Sequence, residues 1–489
     1  MTSYPVLSLV IFLPLLGAAG ILLFGKEQRA RWIALATTLA TLVAAIPLLT
    51  DFDKKQSGLQ FVESLTWIPV WNIDYSLGVD GISLPFILLA LLLTILCVGV
   101  SWNAISTRSR EFYAALLVAE TAMIGLFAAA NLFLFFVFWE LMVVPLFLLI
   151  GIWGGPRRIY AAVKFLLFTL AGSVLMLIGM VALAVTVPEA GLDFKQLTGS
   201  SLGNTLQVWL FLAFLAAFAV KVPMFPVHTW LPDAHTEAPT AGSVILAGIL
   251  LKMGAYGFLR VALPILPEAV LIFQMPMMVI SAIAIIYGAY LTLAQTDVKR
   301  LIAYSSVSHM GFVTLGIFTL NTSGVEGAIL QMINHGIISA ALFLCVGMIY
   351  ERTHTREIKD YGGVARTAPV YAVLLALFSL AAMGFPGLNS FVGEFMIVGG
   401  SFKAAPWLGA MAIWGVVLGT TYMVWLYYRM VMGELNPGLE GLDIELTGRE
   451  VAILMPLALL AFYLGLHPEG VLSYLHVPVR ELLSIGVSP

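Results

Sequence analysis

The run Gln207-Val208-Trp209-Leu210-Phe211-Leu212-Ala213-Phe214-Leu215-Ala216-Ala217-Phe218-Ala219-Val220-Lys221-Val222-Pro223-Met224-Phe225-Pro226 has the length of one bilayer crossing as an α-helix and carries a single charge. Lys221 sits just ahead of two prolines, so the helix is expected to break beside its one cation. A charge at the bilayer centre costs roughly 2.5 to 3.5 kcal/mol on insertion scales, so such residues usually face a wet interior and partner one another. Two further ionisable residues lie inside apolar runs, Glu140 in Phe138-Trp139-Glu140-Leu141 and Lys252 in Leu250-Leu251-Lys252-Met253-Gly254. Together they point to a chain that moves ions.

The rest of the composition agrees. Of 489 residues, 61% are hydrophobic and 10% charged, more apolar surface than a soluble chain of this length buries. Runs such as Pro5 to Phe24, Leu132 to Gly151 and Ile302 to Leu320 each match one helical crossing, and no barrel-like alternation is read. The first run lacks a basic start and a small-residue cleavage site, so it is expected to be a retained span. Cys97 and Cys345 lie in separate apolar runs without Cys-x-x-Cys spacing, and are read as core residues. The net charge of -3, spread over short loops, offers no basic stripe for nucleic acid.

Spans are placed near 5–24, 32–50, 81–103, 112–130, 132–151, 165–187, 207–226, 241–262, 267–293, 301–320, 325–350, 367–403, 407–432 and 450–466, fourteen in all. Of the 24 basic residues, sixteen then fall in loops on one side and six on the other, with Lys221 and Lys252 inside the membrane. The richer side is cytoplasmic by the positive-inside rule, so both termini face away from the cytoplasm.

The seventh span breaks at Pro223 and Pro226, and the twelfth at Gly384, Pro386 and Gly387. The breaks are five spans apart. Spans four to eight and nine to thirteen therefore read as two five-helix repeats, the second inverted, each broken in its fourth member. The expected fold is an all-α integral membrane protein of 14 transmembrane helices. Residues 1–111 hold three N-terminal spans, 112–266 the first repeat, 267–433 the second, and 434–489 the last span with a short tail. Plain proline kinks are the simpler reading of the breaks.

Lys221 falls at the C-terminal end of its half-helix, where exposed carbonyls favour a cation, and Glu394 lies about two turns beyond the other break. Glu140 has no basic neighbour on its own helix, so Lys221 is taken as its partner, with a static ion pair as the alternative. Lys252 is too deep to snorkel to either surface; it is read as a proton carrier, or as a lysine bound to carbonyls. His309 and His335, taken as the only two buried histidines, suit a relay or a satisfied core site, and are poor haem ligands. Glu120 is a further relay member or a packing carboxyl. The stretch Pro226 to Thr240, with His228, Asp233, His235 and Glu237, is a turn-rich lid or a metal site.

Three stretches carry a resemblance: Gly78-Val79-Asp80-Gly81-Ile82-Ser83, Phe138-Trp139-Glu140, and the run from Lys221 through His228-Thr229-Trp230-Leu231-Pro232-Asp233-Ala234-His235 to Lys252. Over nearly its whole length the chain resembles the M-type, or mitochondrial subunit 4, family of membrane subunits of respiratory NADH:quinone oxidoreductase, complex I. The resemblance implies an antiporter-like, proton-translocating subunit with two linked half-channels. It assigns the family's paired glutamate and lysine to Glu140 and Lys221, the central relay to Lys252, and the exit carboxylate to Glu394. Ser339 stands four residues after His335, where some relatives place a lysine, and no long amphipathic tail follows the last span as in the L-type chain.

The resemblance also implies that this chain holds no cofactor, with NADH, FMN, iron-sulfur clusters and quinone on partner subunits. Those partners are the other membrane-arm subunits, including L-type and N-type chains, in a bacterial inner membrane. A charge change arriving from a neighbour would alter the Glu140 and Lys221 pair, and waters with His335 would link Lys221 to Lys252 and Lys252 to Glu394. The rival readings are a subunit of a multi-subunit sodium/proton antiporter, and a scaffold that only holds the membrane arm together.

Overall fold

In the computed structural model, which describes residues 5–486, the apolar runs are helices. Each closes its own backbone hydrogen bonds, the condition that lipid imposes on any spanning segment. The spans are α1 (Val6–Phe24), α2 (Glu27–Thr50), α3 (Leu84–Ala104), α4 (Ser109–Ala128), α5 (Leu132–Trp153), α6 (Arg158–Thr186) and α7 (Asn204–Lys221). After a short helix α8 (Trp230–Glu237) come α9 (Thr240–Ile265), α10 (Pro267–Leu293), α11 (Val298–Phe318) and α12 (Thr322–Thr353). Then follow the half-helices α13 (Pro369–Ala382) and α14 (Asn389–Ala404), then α15 (Pro406–Val431) and α16 (Gly448–Leu466). Among the described residues thirteen helices are long and apolar enough to cross a membrane, and α13 with α14 forms the broken twelfth span.

Both expected breaks are present. The chain leaves helical geometry between Lys221 and Trp230, where Pro223 and Pro226 cannot donate to a helical ladder. It does so again between Ala382 and Asn389, where Gly384 and Gly387 take φ values of +71° and +92°, a region that only glycine occupies without strain.

Burial sorts the helices. Within their most apolar stretches α12 is 100% buried and α9 and α11 are 94% buried, against 39% for α1 and α6. The first three form the interior, and the others turn apolar side chains outward to lipid or to neighbouring chains. Asn131, Asp297 and Asn321 cap α5, α11 and α12 by accepting backbone N–H groups of the first turn, which have no partner within a helix.

Two elements were not anticipated. Between α2 and α3 the chain forms an antiparallel hairpin, β1 (Gln60–Ile68) with β2 (Ile73–Val79), pairing Ser64 with Ser76 and Leu65 with Tyr75. The alternation not read in the sequence is therefore present locally, over one short stretch. The hairpin has a job at the helix end: the Glu63 carboxylate accepts from Leu7 N at 2.7 Å and Ser8 N at 3.0 Å, satisfying donors at the start of α1.

After α16 an amphipathic helix α17 (Glu469–Gly486) turns back over the bundle. Its His476 Nδ1 lies 2.8 Å from Glu326 of α12, and Lys54 stands over its Tyr474 ring at 4.1 Å. Gly81 allows this contact, because a Cβ there would fall 1.8 Å from the Tyr474 carbonyl oxygen.

Candidate functional site

The ionisable residues singled out in the sequence fall into two groups. In the first, Lys221 ends α7 and is 1% exposed. Its Nζ donates to the Trp139 carbonyl at 2.9 Å and stands 3.6 Å from the centre of the Trp139 ring. Glu140 is next along the chain but half-buried, and its Oε1 has no hydrogen-bond partner.

The expected Glu140–Lys221 ion pair is thus not closed. The amine takes the neighbouring backbone oxygen, while the carboxylate remains within its electrostatic reach. The cause is the face that Glu140 occupies. Leu141 beside it is half-buried and Val144 one turn on is exposed, so the carboxylate looks toward the flank of the molecule.

The second group is continuous. Lys252 lies on α9 with no exposed surface, and its Nζ donates to the Ala247 carbonyl and meets His335 Nδ1 at 2.7 Å. The ring centres of His335 and His309 are 5.6 Å apart. His309 Nδ1 lies 3.3 Å from Glu394 Oε1, and its Nε2 lies 3.3 Å from the Tyr422 hydroxyl. Gln331 Nε2 donates to the same Glu394 oxygen at 3.0 Å. A cavity of about 10 Å³, lined in part by His309, His335, Gln331 and Ser339, borders both rings, at the lower limit of the volume needed for one water.

Local backbone geometry sets these positions. Turns of π-helix at Leu246–Leu250 and Phe258–Ala262 bracket Lys252, and such turns are frequent at functional sites because they re-aim side chains. Gly254 brings α9 against α7, since a Cβ there would meet Phe218 O and Val222 N at 2.9 Å. That approach puts the helix carrying Lys252 beside the end of the helix carrying Lys221. At the other break, Gly384 leaves room for Glu394, whose Oε2 would lie 2.7 Å from a Cβ there.

His335 lies against Lys252 and His309, so of the two expected links its contacts belong to the one from Lys252 to Glu394. His309 and His335 are not the only buried histidines: His228 is 3% exposed and His235 fully buried. The segment read as a lid is in part the helix α8. Its His235 stacks on Phe343 at 4.6 Å, its two ring nitrogens have no partner, and Lys252 and Lys299 are its charged neighbours. Lys299, also buried, donates to the Ala238 carbonyl.

Gln331 and Tyr422 were not among the expected residues. Gln331 had a signal, since it stands four residues before His335 on the same helical face. Tyr422 had none. Glu120 is fully buried with both carboxyl oxygens unpartnered, away from either group. Cys97 and Cys345 are buried and free, and among the described residues no three His, Cys, Asp or Glu side chains gather as a metal site.

Residues 129–419 match the family described as NADH:quinone oxidoreductase/Mrp antiporter, TM, a segment that runs from just before α5 into α15 and holds both groups but for Tyr422. Subunit M of the NADH-quinone oxidoreductase of Rhodobacter capsulatus is 47% identical over 98% of this chain and 96% of its own length. The chain belongs to the subunit M family of NADH-quinone oxidoreductase.

Chain 4 of the NADH-ubiquinone oxidoreductase of Arabidopsis thaliana is 44% identical, over 98% of this chain and 97% of its own. Among solved structures, a chain of respiratory complex I from Thermus thermophilus with bound NADH superposes with a TM-score of 0.91 at 30% identity, covering 99% of this chain and 100% of that one. A chain of the Mrp complex from Dietzia shares the fold, with a TM-score of 0.87 at 22% identity. Family membership and the buried ionisable chain therefore describe the same helices.

Proposed function

We propose that this chain is the proton-translocating membrane-arm subunit, of the M or subunit 4 type, of an NADH:quinone oxidoreductase. Protons move along buried side chains here while redox chemistry proceeds on other subunits. The observation that carries the reading is the series Lys252, His335, His309, Glu394 on interior helices, with close polar contacts at its two ends and a ring contact between the two imidazoles. An amine, two imidazoles and a carboxylate at hydrogen-bonding or one-water separations can pass a proton by successive donation and acceptance.

In this reading Glu140 and Lys221 form the responsive end. When the Glu140 carboxylate on the flank is neutralised or drawn away by a neighbouring subunit, Lys221 loses the charge that stabilises its ammonium and gives up a proton toward Lys252. Lys252 then donates through His335 and His309 to Glu394, from which release follows on the non-cytoplasmic side. Gln331 and Tyr422 hold the last two groups in place.

The same reading includes two inverted repeats over 112–266 and 267–433, L-type and N-type neighbours, and NADH, FMN, iron-sulfur clusters and quinone on partner subunits. It also places both termini outside the cytoplasm across a bacterial inner membrane. The lipid-facing exposure of α1 and α6 supports an embedded chain, and the unpaired Glu140 oxygen on the flank supports a lateral signal.

The test uses the assembled complex in membrane vesicles. Lys221→Ala, Lys252→Met and Glu394→Gln are each expected to lose most NADH-driven acidification with the complex intact on a native gel. Normal pumping in all three would leave only the scaffold reading. Copurification without redox subunits, together with sodium-dependent exchange, would favour the antiporter reading.

A further inference from the structure

On the face that carries the hairpin and α17, a cavity of about 590 Å³ opens between β2, the end of α9, the segment around Thr198 and α17. Its wall includes Pro478 and Leu482, one turn apart on α17, and at its base stand Asp80, Tyr256 and Arg260. Arg260 Nη2 donates to Asp80 Oδ2 at 2.6 Å, and Arg260 Nε donates to the Tyr256 hydroxyl at 3.0 Å. Asp80 is fixed in turn, because its Oδ1 accepts from the backbone N–H groups of Ile82 and Ser83 at the start of α3. The Asp80 and Arg260 side chains keep 7% and 18% exposure, so the pair touches the cavity.

Tyr256 stands four residues after Lys252 on the same helix, and Arg260 four after Tyr256, a single stripe rising about 6 Å per step. The tyrosine ring packs on Phe86, Phe127 and Phe135, while its hydroxyl also reaches the Phe127 carbonyl at 3.3 Å. By contrast, the space beside Glu394 and Tyr422 has no room for a water molecule, and Gly327 and Gly393 hold α12 and α14 in close contact beside it. On this face, water-sized space thus meets the helix of Lys252, one turn beyond Tyr256.

We infer that Tyr256, Arg260 and Asp80 form a gated outlet connecting the Lys252 relay to a hydrated vestibule on the hairpin face, in addition to the route through Glu394. The inference rests on the proton-translocating reading above. A protonated Lys252 gives its proton toward the Tyr256 hydroxyl oxygen while the hydroxyl passes its own proton to vestibule water, so the number of protons on the tyrosine is unchanged. Arg260 stays protonated throughout. Its bond to Asp80 holds the hydroxyl in place when closed, and its swing toward vestibule water clears the way when open.

The experiment compares two perturbations in assembled complex in vesicles, reading protons translocated per NADH oxidised. Tyr256→Phe retains the ring packing and removes only the hydroxyl. Thr198→Cys is read before and after modification from the hairpin face with a membrane-impermeant, positively charged thiol reagent; Cys97 and Cys345 are fully buried and contribute no background. With the complex intact, a fall in the ratio for Tyr256→Phe, or for Thr198→Cys on modification, supports the outlet. An unchanged ratio in both overturns it. If Lys252→Met abolishes pumping while both leave it unchanged, only the outlet fails; if Lys252→Met also pumps normally, the relay reading fails with it.

Discussion

His335→Phe isolates the link between Lys252 and the rest of the relay. Phenylalanine fills the space of the imidazole with an apolar ring, so the helix should hold while both ring nitrogens are lost. In the native protein the amine meets His335 Nδ1 at 2.7 Å, and the next imidazole centre is 5.6 Å further on. Without the first ring nitrogen the amine has no titratable partner left in this contact, and a proton leaving Lys252 must cross the space the imidazole filled before it meets His309. The adjoining cavity has volume for about one water, which does not replace the ring.

The amine keeps its bond to Ala247 O but loses its side-chain partner, at a stability cost of ~1–3 kcal/mol, which a protein of this core size tolerates. The expected functional loss is larger in its own terms: at least about tenfold in the coupled proton rate, ~1.4 kcal/mol or more in barrier. The assay is NADH-driven acidification of vesicles containing intact complex, with His335→Gln beside it. Glutamine keeps an acceptor within reach of the amine and should retain part of the rate. Wild-type acidification in His335→Phe would refute the argument that protons pass through this contact.

Gly254→Val should force α9 away from Phe218 O and Val222 N, both 2.9 Å from the new Cβ, and lower the thermal midpoint of the complex by a destabilisation of ~1–3 kcal/mol; an unchanged midpoint would show that the two helices are not in contact. The α17 clamp should depend on pH. The hydrogen bond that the imidazolium donates to the Glu326 carboxylate raises the His476 pKa above its ordinary value, with Glu469 adding to it, so the contribution is full below the ordinary value and is lost as pH rises through the raised one. Hydrogen exchange of residues 469–486, corrected for intrinsic rates, should quicken across that window, and Glu326→Gln should remove the dependence. Cys97 and Cys345 should resist an impermeant thiol reagent in native membranes and react only after denaturation, as mass spectrometry of the intact chain would show.

The readable parts of the sequence share a trait: each depends on neighbours along the chain. Pro223 and Pro226 cannot donate to a helical ladder, and Gly384 and Gly387 favour left-handed backbone, so both breaks were placed from local chemistry. The hairpin was not, because its register slips between Gln60 and Glu63 and between Thr66 and Ile68, and its exposed apolar residues Val62, Leu65 and Trp67 blur the alternation. The helix α17, expected only as a short tail, has Leu472, Leu475, Val479 and Leu482 recurring at helical spacing, but it is too short and too polar on its other face to read as a span. The segment of His235 was read as a turn-rich lid because Pro226, Pro232 and Pro239 suggested a loop, yet Pro232 falls in the first turn of α8, where its missing N–H costs nothing.

What the sequence alone determined is that Glu140, Lys221, Lys252, His309, His335 and Glu394 stand at membrane depth, because the cost of removing a charge from water depends on the apolar length around it and is paid residue by residue. What only the tertiary structure decided is which of them meet. Lys252 and His335 are 83 residues apart, and Tyr422 is 113 from His309. Their contacts follow from how α9, α11, α12 and α15 pack, while Lys221 takes the Trp139 carbonyl and leaves Glu140 on the flank. Hydrogen bonds act over about 3 Å, so a change in helix rotation too small to alter any hydropathy pattern makes or breaks each one.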